Sequence, residues 1–209
     1  MQSGDRALIQ IVDAALAEAA RKSGGWLACR PGCNQCCIGP FAISQLDAWR
    51  LGRGLAELQA QDPKRAGRVR ERARDYVTRL APAFPGDPVS GVLGEGDEAE
   101  ERFSEFADDE PCPALDPDTG LCDLYEARPL TCRMFGPPLR SGSDDLGVCE
   151  LCFDGASDEE IAACAVDLDS GDLESGLLAE LEKTTGARGE TIVAYALAEP
   201  WRTTTKSGS

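Results

Sequence analysis

The chain contains no histidine. That absence excludes Ser–His–Asp triads, the HExxH metalloprotease motif, His-ligated catalytic metals and zinc fingers that mix cysteine with histidine, because each needs an imidazole. Positive charge is also scarce: 21 Lys and Arg stand against 37 Asp and Glu, a formal net charge of −16. Phosphates must be met by a basic surface, so neither nucleic acid nor an anionic membrane surface is expected as a partner. No apolar run approaches the roughly 20 residues of a membrane-spanning helix. Asp5, Arg6, Asp13 and Glu18 interrupt the stretch where a signal peptide would need its apolar region. There is no P-loop and no GxGxxG. Asp116-x-Asp118-x-Gly120 fails as a calcium loop, since its glycine comes one position early and Ala127 stands where the closing glutamate belongs. Asp167-x-Asp169-x-Gly171 fails likewise at Leu178, so both read as turns.

What the chain does have is cysteine, ten in 209 residues. The expected compartment is a reducing cytoplasm, where metal ligation or redox chemistry outweighs disulfide scaffolding. Without imidazole, a soft metal must be held by thiolates. The first block is Cys29-x3-Cys33-x2-Cys36-Cys37, four thiols within nine residues. Pro31, Gly32, Gly39 and Pro40 give it tight turns that can aim sulfurs at one centre. Successive side chains diverge, so Cys36 and Cys37 are expected to differ in role: a ligand beside a packed thiol, or ligands of two centres. A disulfide between neighbours would be strained. Cys112, Cys122 and Cys132 follow at ten-residue spacing, too wide for a local knuckle, so they can join the first block only through folding. Cys149-x2-Cys152 is a further knuckle that could complete a second site. An all-cysteine zinc site or a four-iron cluster needs four thiolates. Arg128 and Arg133 flank this region, either offsetting thiolate charge or forming structural ion pairs. Cys164 falls on an apolar helical stripe and reads as packing.

The rest of the chain reads as mostly α, a small helical domain with cysteine-rich metal-binding loops and little or no β-sheet. Apolar residues at helical spacing predict a helix over 5–22, stopped by Gly24-Gly25. Ser44 with Asp47 approximates a capping box opening a helix over 44–60, and Pro63 suits the first position of one over 63–81. The buried stripe of that helix is Val69, Ala73, Tyr76, Val77 and Leu80, and its arginines (65, 68, 70, 72, 74 and 79) read as a solvated face. Residues 82–98 read as a long loop, and 95–118, with eleven acids and one base, as a solvated acidic loop. A short helix or hairpin is expected over 121–127. Ser157-Asp158-Glu159-Glu160 starts a helix carrying Ile161, Cys164, Ala165 and Leu168, followed by helices near 172–184 and 189–198. Residues 1–200 are expected to form a single domain, with a cysteine-cluster core over 24–153, a helical extension over 154–200 and a disordered tail over 201–209.

Taken in order, Cys29-x3-Cys33-x2-Cys36-Cys37, Cys112-Pro113-x-Leu115 and Cys122-x-Leu124-Tyr125-Glu126-x-Arg128-Pro129-x-x-Cys132-Arg133 resemble the YkgJ-type cysteine-cluster family. That family is described as a zinc- or iron-chelating domain and also as iron–sulfur-cluster-containing proteins. Flagellin-lysine methylases carry a module that looks similar, with an iron–sulfur cluster. The resemblance implies metal binding by Cys29, Cys33, Cys36, Cys37, Cys112, Cys122 and Cys132, and less directly by Cys149 and Cys152.

The leading expectation is a cytoplasmic protein that holds an iron–sulfur cluster of the [4Fe–4S] type, with zinc as the alternative metal and a redox or accessory role. Histidine is absent, thiols outnumber what one zinc needs, and Cys-x2-Cys-Cys suits a centre with several irons. A second reading takes Cys29-x3-Cys33-x2-Cys36 as the radical-SAM cluster motif and the chain as an enzyme. The helix before the motif and the lack of repeated strand–helix units argue against it. A third is a purely structural zinc domain for binding another protein, with 95–118 as its contact surface.

Overall fold

The structure, a computed structural model, describes residues 1–30, 32–141, 144–146, 148–168 and 172–199, the side chains of 141 and 144–146 excepted. The expected tail at 201–209 lies outside the described residues, as do Pro31 of the first cysteine turn and Asp169 and Gly171 of the second acidic turn. The fold is mostly α. Eight α-helices and only two- and three-residue strands occur among the described residues.

Helix α1 (Gln2–Ser23) buries Leu8, Val12 and Ala19 and ends where Gly24 turns to φ +50 and donates its N–H back to Ala20. Helix α2 (Gln45–Gln61) starts as expected at Ser44, whose hydroxyl accepts the Asp47 N–H at 3.2 Å. The Asp47 carboxylate does not close the capping box. It is buried, pairs with Arg50, and accepts the Leu130 N–H at 3.0 Å. Arg50 in turn reaches Asp5 on α1 at 2.6 Å, so one buried ionic network ties α1 and α2 to the start of a later cysteine-bearing helix. Helix α3 (Pro63–Leu80) has Pro63 in its first turn and Asp62 as its cap, accepting the Arg65 N–H at 3.0 Å.

Where a loop was expected, the chain forms a hairpin pairing Gly86–Asp87 with Val92–Leu93 and then helix α4 (Asp97–Ser104). Its first turn carries Asp97, Glu98 and Glu100. Carboxylates there face the positive end of the helix dipole, so acidic composition is no obstacle to a helix. Helix α5 (Leu130–Met134) is one short turn carrying Cys132. Helix α6 (Asp158–Cys164) opens on a complete capping box between Ser157 and Glu160 and stops at Cys164, so Leu168 is not part of it. Helices α7 (Leu173–Thr185) and α8 (Val193–Ala198) complete the set.

Helices α2, α3 and α8 pack around Ile43, Leu51, Leu55, Val69, Ala73 and Leu197, with Cys112, Cys122 and Ala127 laid against that core. A second core joins α1, α2, α5 and α7 through Leu8, Val12, Leu46, Trp49, Leu130 and Leu181. Gly54, mid-helix in α2, is required by this packing: a Cβ there would collide with the Cβ of Ala127. The glycine lets the chain between Cys122 and Cys132 cross directly over α2. No described helix is long and apolar enough to cross a membrane.

Candidate metal centre

The cysteine blocks are brought together by backbone bonds. The turn Gln35–Cys37 is 3-10, with the Cys37 N–H donating to Asn34 C=O at 2.8 Å. Cys37 C=O then accepts the Cys112 N–H at 2.7 Å, and the Gly39 N–H donates to Glu110 C=O at 2.9 Å, so the first and second blocks meet as an antiparallel bridge. From Cys112 the chain folds back on itself. Leu115 bridges Cys122, the Asp123 N–H donates to Ala114 C=O at 2.7 Å, and the expected Asp116–Gly120 turn closes the loop. The ten-residue spacing is therefore one hairpin, which sets Cys112 beside Cys122. A 3-10 turn (Tyr125–Ala127) and α5 then bring in Cys132.

The arginines of α3 hold this hairpin, which corrects the reading of a solvated face. Arg65 and Arg72 both grip the buried Asp123 carboxylate, Arg72 at 2.6 Å, and Arg72 Nε donates to Pro113 C=O at 2.9 Å. Arg79 forms a two-armed pair with Glu110 at 2.8 Å on each arm. Sequence gives no sign of which arginine meets an acid across the fold.

Cys29, Cys33, Cys36, Cys37, Cys112, Cys122 and Cys132 line one cavity of about 670 Å³, with largely apolar walls that include Phe41, Phe135 and Ile192. Five of these seven thiols form one set. Cys36 lies within electrostatic reach of Cys112, Cys122 and Cys132, and Cys37 of Cys112 and Cys122. Cys36 and Cys37 lie together on the 3-10 turn. The Cys37 S–H donates to Cys36 and, with a backbone N–H and the nearby Arg128, pulls the Cys36 thiol down to about 6. The same contact, then burial, raises Cys37. Burial pushes Cys112 up to about 12 and raises Cys122 and Cys132. Thiols crowded out of water resist ionising unless a cation compensates. A metal ion supplies that charge and deprotonates them.

The second set is Cys29, Cys33, Cys149 and Cys152. Cys29 Sγ stands 4.0 Å from Cys152 Sγ. Partial burial, then the Cys152, Cys33 and Cys149 thiols, push Cys29 up to about 12. Cys149 and Cys152 are buried with Phe153 and Cys164 in a small separate core. Cys164 packs there as expected, its S–H donating to Lys22 C=O at 3.4 Å.

The two flanking arginines divide between the two readings. Arg133 is structural: it pairs with Asp13 at 2.9 Å and donates to the carbonyls of Glu126 and Arg128. Arg128 faces the thiols, favouring the thiolate at Cys36 and Cys122, with its guanidinium 3.6 Å over the Tyr125 ring.

Among the described residues, no three Cys, Asp or Glu side chains are gathered tightly enough to enclose one ion as they stand. Donor chemistry and one orphaned group test the fit instead. Tyr76, which sequence placed only on a buried stripe, lines the cavity, is 5 % exposed, and its hydroxyl has no hydrogen-bond partner among the described residues. A buried phenol without a partner costs free energy, and a sulfur-rich group in the cavity would accept its hydrogen bond. The hint in the sequence was a hydroxyl-bearing aromatic on an otherwise apolar face. Five thiols, one guanidinium and one donor hydroxyl suit a thiophilic metal group and suit hard, oxygen-seeking cations poorly.

No curated protein and no solved structure matches the chain. The model of the CxxCxxCC family, described as a zinc- or iron-chelating domain, matches residues 28–152, more than half of the chain and every cysteine but Cys164. The chain therefore belongs to the CxxCxxCC family of zinc- or iron-chelating domains.

Proposed function

We propose that Cys36, Cys112, Cys122 and Cys132 hold an iron–sulfur cluster, of the four-iron type, and that the protein serves as a cytoplasmic redox or accessory metalloprotein. The observation that carries this reading is the convergence of those four thiols on one cavity from positions nearly a hundred residues apart. Cys37 hydrogen-bonds Cys36 and serves as its partner. Such a cluster, when bound, accepts and returns single electrons. The chain's own groups have simpler tasks. Arg128 offsets the anionic charge, Tyr76 would donate to the bound sulfur, and the apolar walls exclude water, each a means of tuning potential. Zinc in the same thiols is the second reading. The room for a bulky group and the supply of more thiols than one tetrahedral ion takes support iron–sulfur over it. The radical-SAM alternative gains no support. Its three-cysteine motif is divided between the two thiol sets, and the described strands are too short for a barrel.

Anaerobic purification of the wild-type chain and of Cys36→Ser and Cys132→Ser tests the proposal. The wild type should be brown with a broad sulfur-to-iron absorption, and each variant should lose that colour. A colourless wild-type protein carrying stoichiometric zinc would overturn it.

A further inference from the structure

We infer that Cys29, Cys33, Cys149 and Cys152 form a second, separate metal site that takes a single soft divalent ion, zinc being the best match. The two ends of the family region meet here. The Cys33 N–H donates to Arg30 C=O at 2.9 Å and the Cys152 N–H to Cys149 C=O at 2.8 Å, so each pair sits on a tight turn. The Phe153 N–H donates to Trp26 C=O at 2.9 Å, and the Trp26 and Phe153 rings stack with centroids 6.1 Å apart. These contacts bring the 149–152 knuckle onto the start of the first block.

One sulfur pair already stands at the spacing a single ion sets, and the other two thiols would close in on binding. Zinc–sulfur bonds of about 2.3 Å set the edge of a tetrahedral four-thiolate site at about 3.8 Å. Cys29 and Cys152 stand 4.0 Å apart, close to such an edge. In a four-iron cluster each cysteine binds a different iron and the sulfurs spread wider. Gly136 makes room for this arrangement: at φ +131, a Cβ there would lie 2.9 Å from Cys29 Sγ, and its carbonyl accepts the Cys149 N–H. Phe153, directly after Cys152, holds φ +60, a conformation uncommon for a bulky residue and here maintained by the Trp26 contacts. Cys149 and Cys152 are buried, while Cys29 is exposed and gives an ion its way in.

The test needs zinc, iron and acid-labile sulfide counted per chain after anaerobic purification from zinc-supplemented growth. It compares wild type, Cys149→Ser/Cys152→Ser and Cys112→Ser/Cys132→Ser. The expected result is one zinc per chain in the wild type. The first variant should lose that zinc and keep its sulfide; the second should lose iron and sulfide and keep the zinc. Should the first variant fail to fold, zinc-edge X-ray absorption of the wild type decides, with a shell of four sulfurs expected. Differential alkylation should then show Cys29, Cys33, Cys149 and Cys152 protected until a chelator is added. A wild-type protein without zinc, a Cys29–Cys152 disulfide, or joint loss of zinc and sulfide from a folded Cys149→Ser/Cys152→Ser protein would overturn the inference. Two zinc ions and no sulfide would sink the iron–sulfur reading and leave this site standing. Iron and sulfide without zinc would do the reverse.

Discussion

Removing the Asp123 carboxylate measures how firmly α3 holds the cysteine hairpin. The side chain is 1 % exposed and both oxygens are occupied, one by Arg65 and one by Arg72. Asp123→Ala deletes two charge-assisted hydrogen bonds, each about 1.5–3 kcal/mol. Breaking a fully buried pair from one side costs about 3–5 kcal/mol, because a charge is stranded. Here the stranded charges are not fully buried: Arg65 and Arg72 keep 38 % and 24 % exposure and can turn to water. The lower end therefore applies, a loss of about 3 kcal/mol. The hairpin itself survives, since Asp123 N–H to Ala114 C=O and Arg72 Nε to Pro113 C=O remain. Urea unfolding of the metal-free, reduced protein reads the loss as a lower midpoint at unchanged slope. Because Cys112 and Cys122 sit on the loosened hairpin, metal affinity should fall too, by about 100-fold if the whole loss is local. Arg79→Ala is the control: its pair with Glu110 is 47 % and 22 % exposed, is screened by water and should cost far less. An Asp123→Ala loss no larger than that of Arg79→Ala would refute the clamp.

Three further outcomes are expected. Gly54→Ala should destabilise by about 1–3 kcal/mol through overpacking against Ala127, although alanine is the better helix former by about 1 kcal/mol; a gain in thermal midpoint would contradict the close crossing over α2. Tyr76→Phe should leave the metal-free protein as stable or slightly more stable, since it deletes an unpaired buried hydroxyl, yet shift the midpoint potential of the loaded protein; an unchanged potential would mean that the hydroxyl does not reach the bound group. Arg79 holds the Glu110 carboxyl below its usual range, so that pair stabilises the fold above the ordinary carboxylate pKa and is lost as pH falls through the depressed value. Glu110→Gln should therefore match the wild type more closely at pH 3 than at pH 7 in unfolding experiments; an equal gap at both would contradict it.

The helix starts were legible because their signals are local chemistry: Ser44, Pro63 and Ser157 with Glu160 each begin the helix expected of them, while the Asp62 cap appears only in the structure. The thiols were legible as a set because spacing alone marks them. Which thiol joins which set was not, since that depends on Cys37 C=O meeting the Cys112 N–H and Trp26 C=O meeting the Phe153 N–H, contacts between distant segments. The same holds for Arg65 and Arg72 of α3, whose shared acid, Asp123, lies 58 and 51 residues away on the hairpin. Helix α4 escaped notice because only Phe103 marks an apolar face in an acidic stretch, where the stabilising feature is charge at the N-terminus. The contact between Cys36 and Cys37 arises from a 3-10 turn that periodicity does not register.

The most direct test of the central claim is acid-labile sulfide, measured with iron on anaerobically purified wild-type protein and on Cys132→Ser. Thiolate ligation of a four-iron cluster by Cys36, Cys112, Cys122 and Cys132 predicts about four irons and four sulfides per chain in the wild type. It predicts loss of both in the variant. Wild-type protein without sulfide, or Cys132→Ser protein with undiminished iron and sulfide, would contradict it.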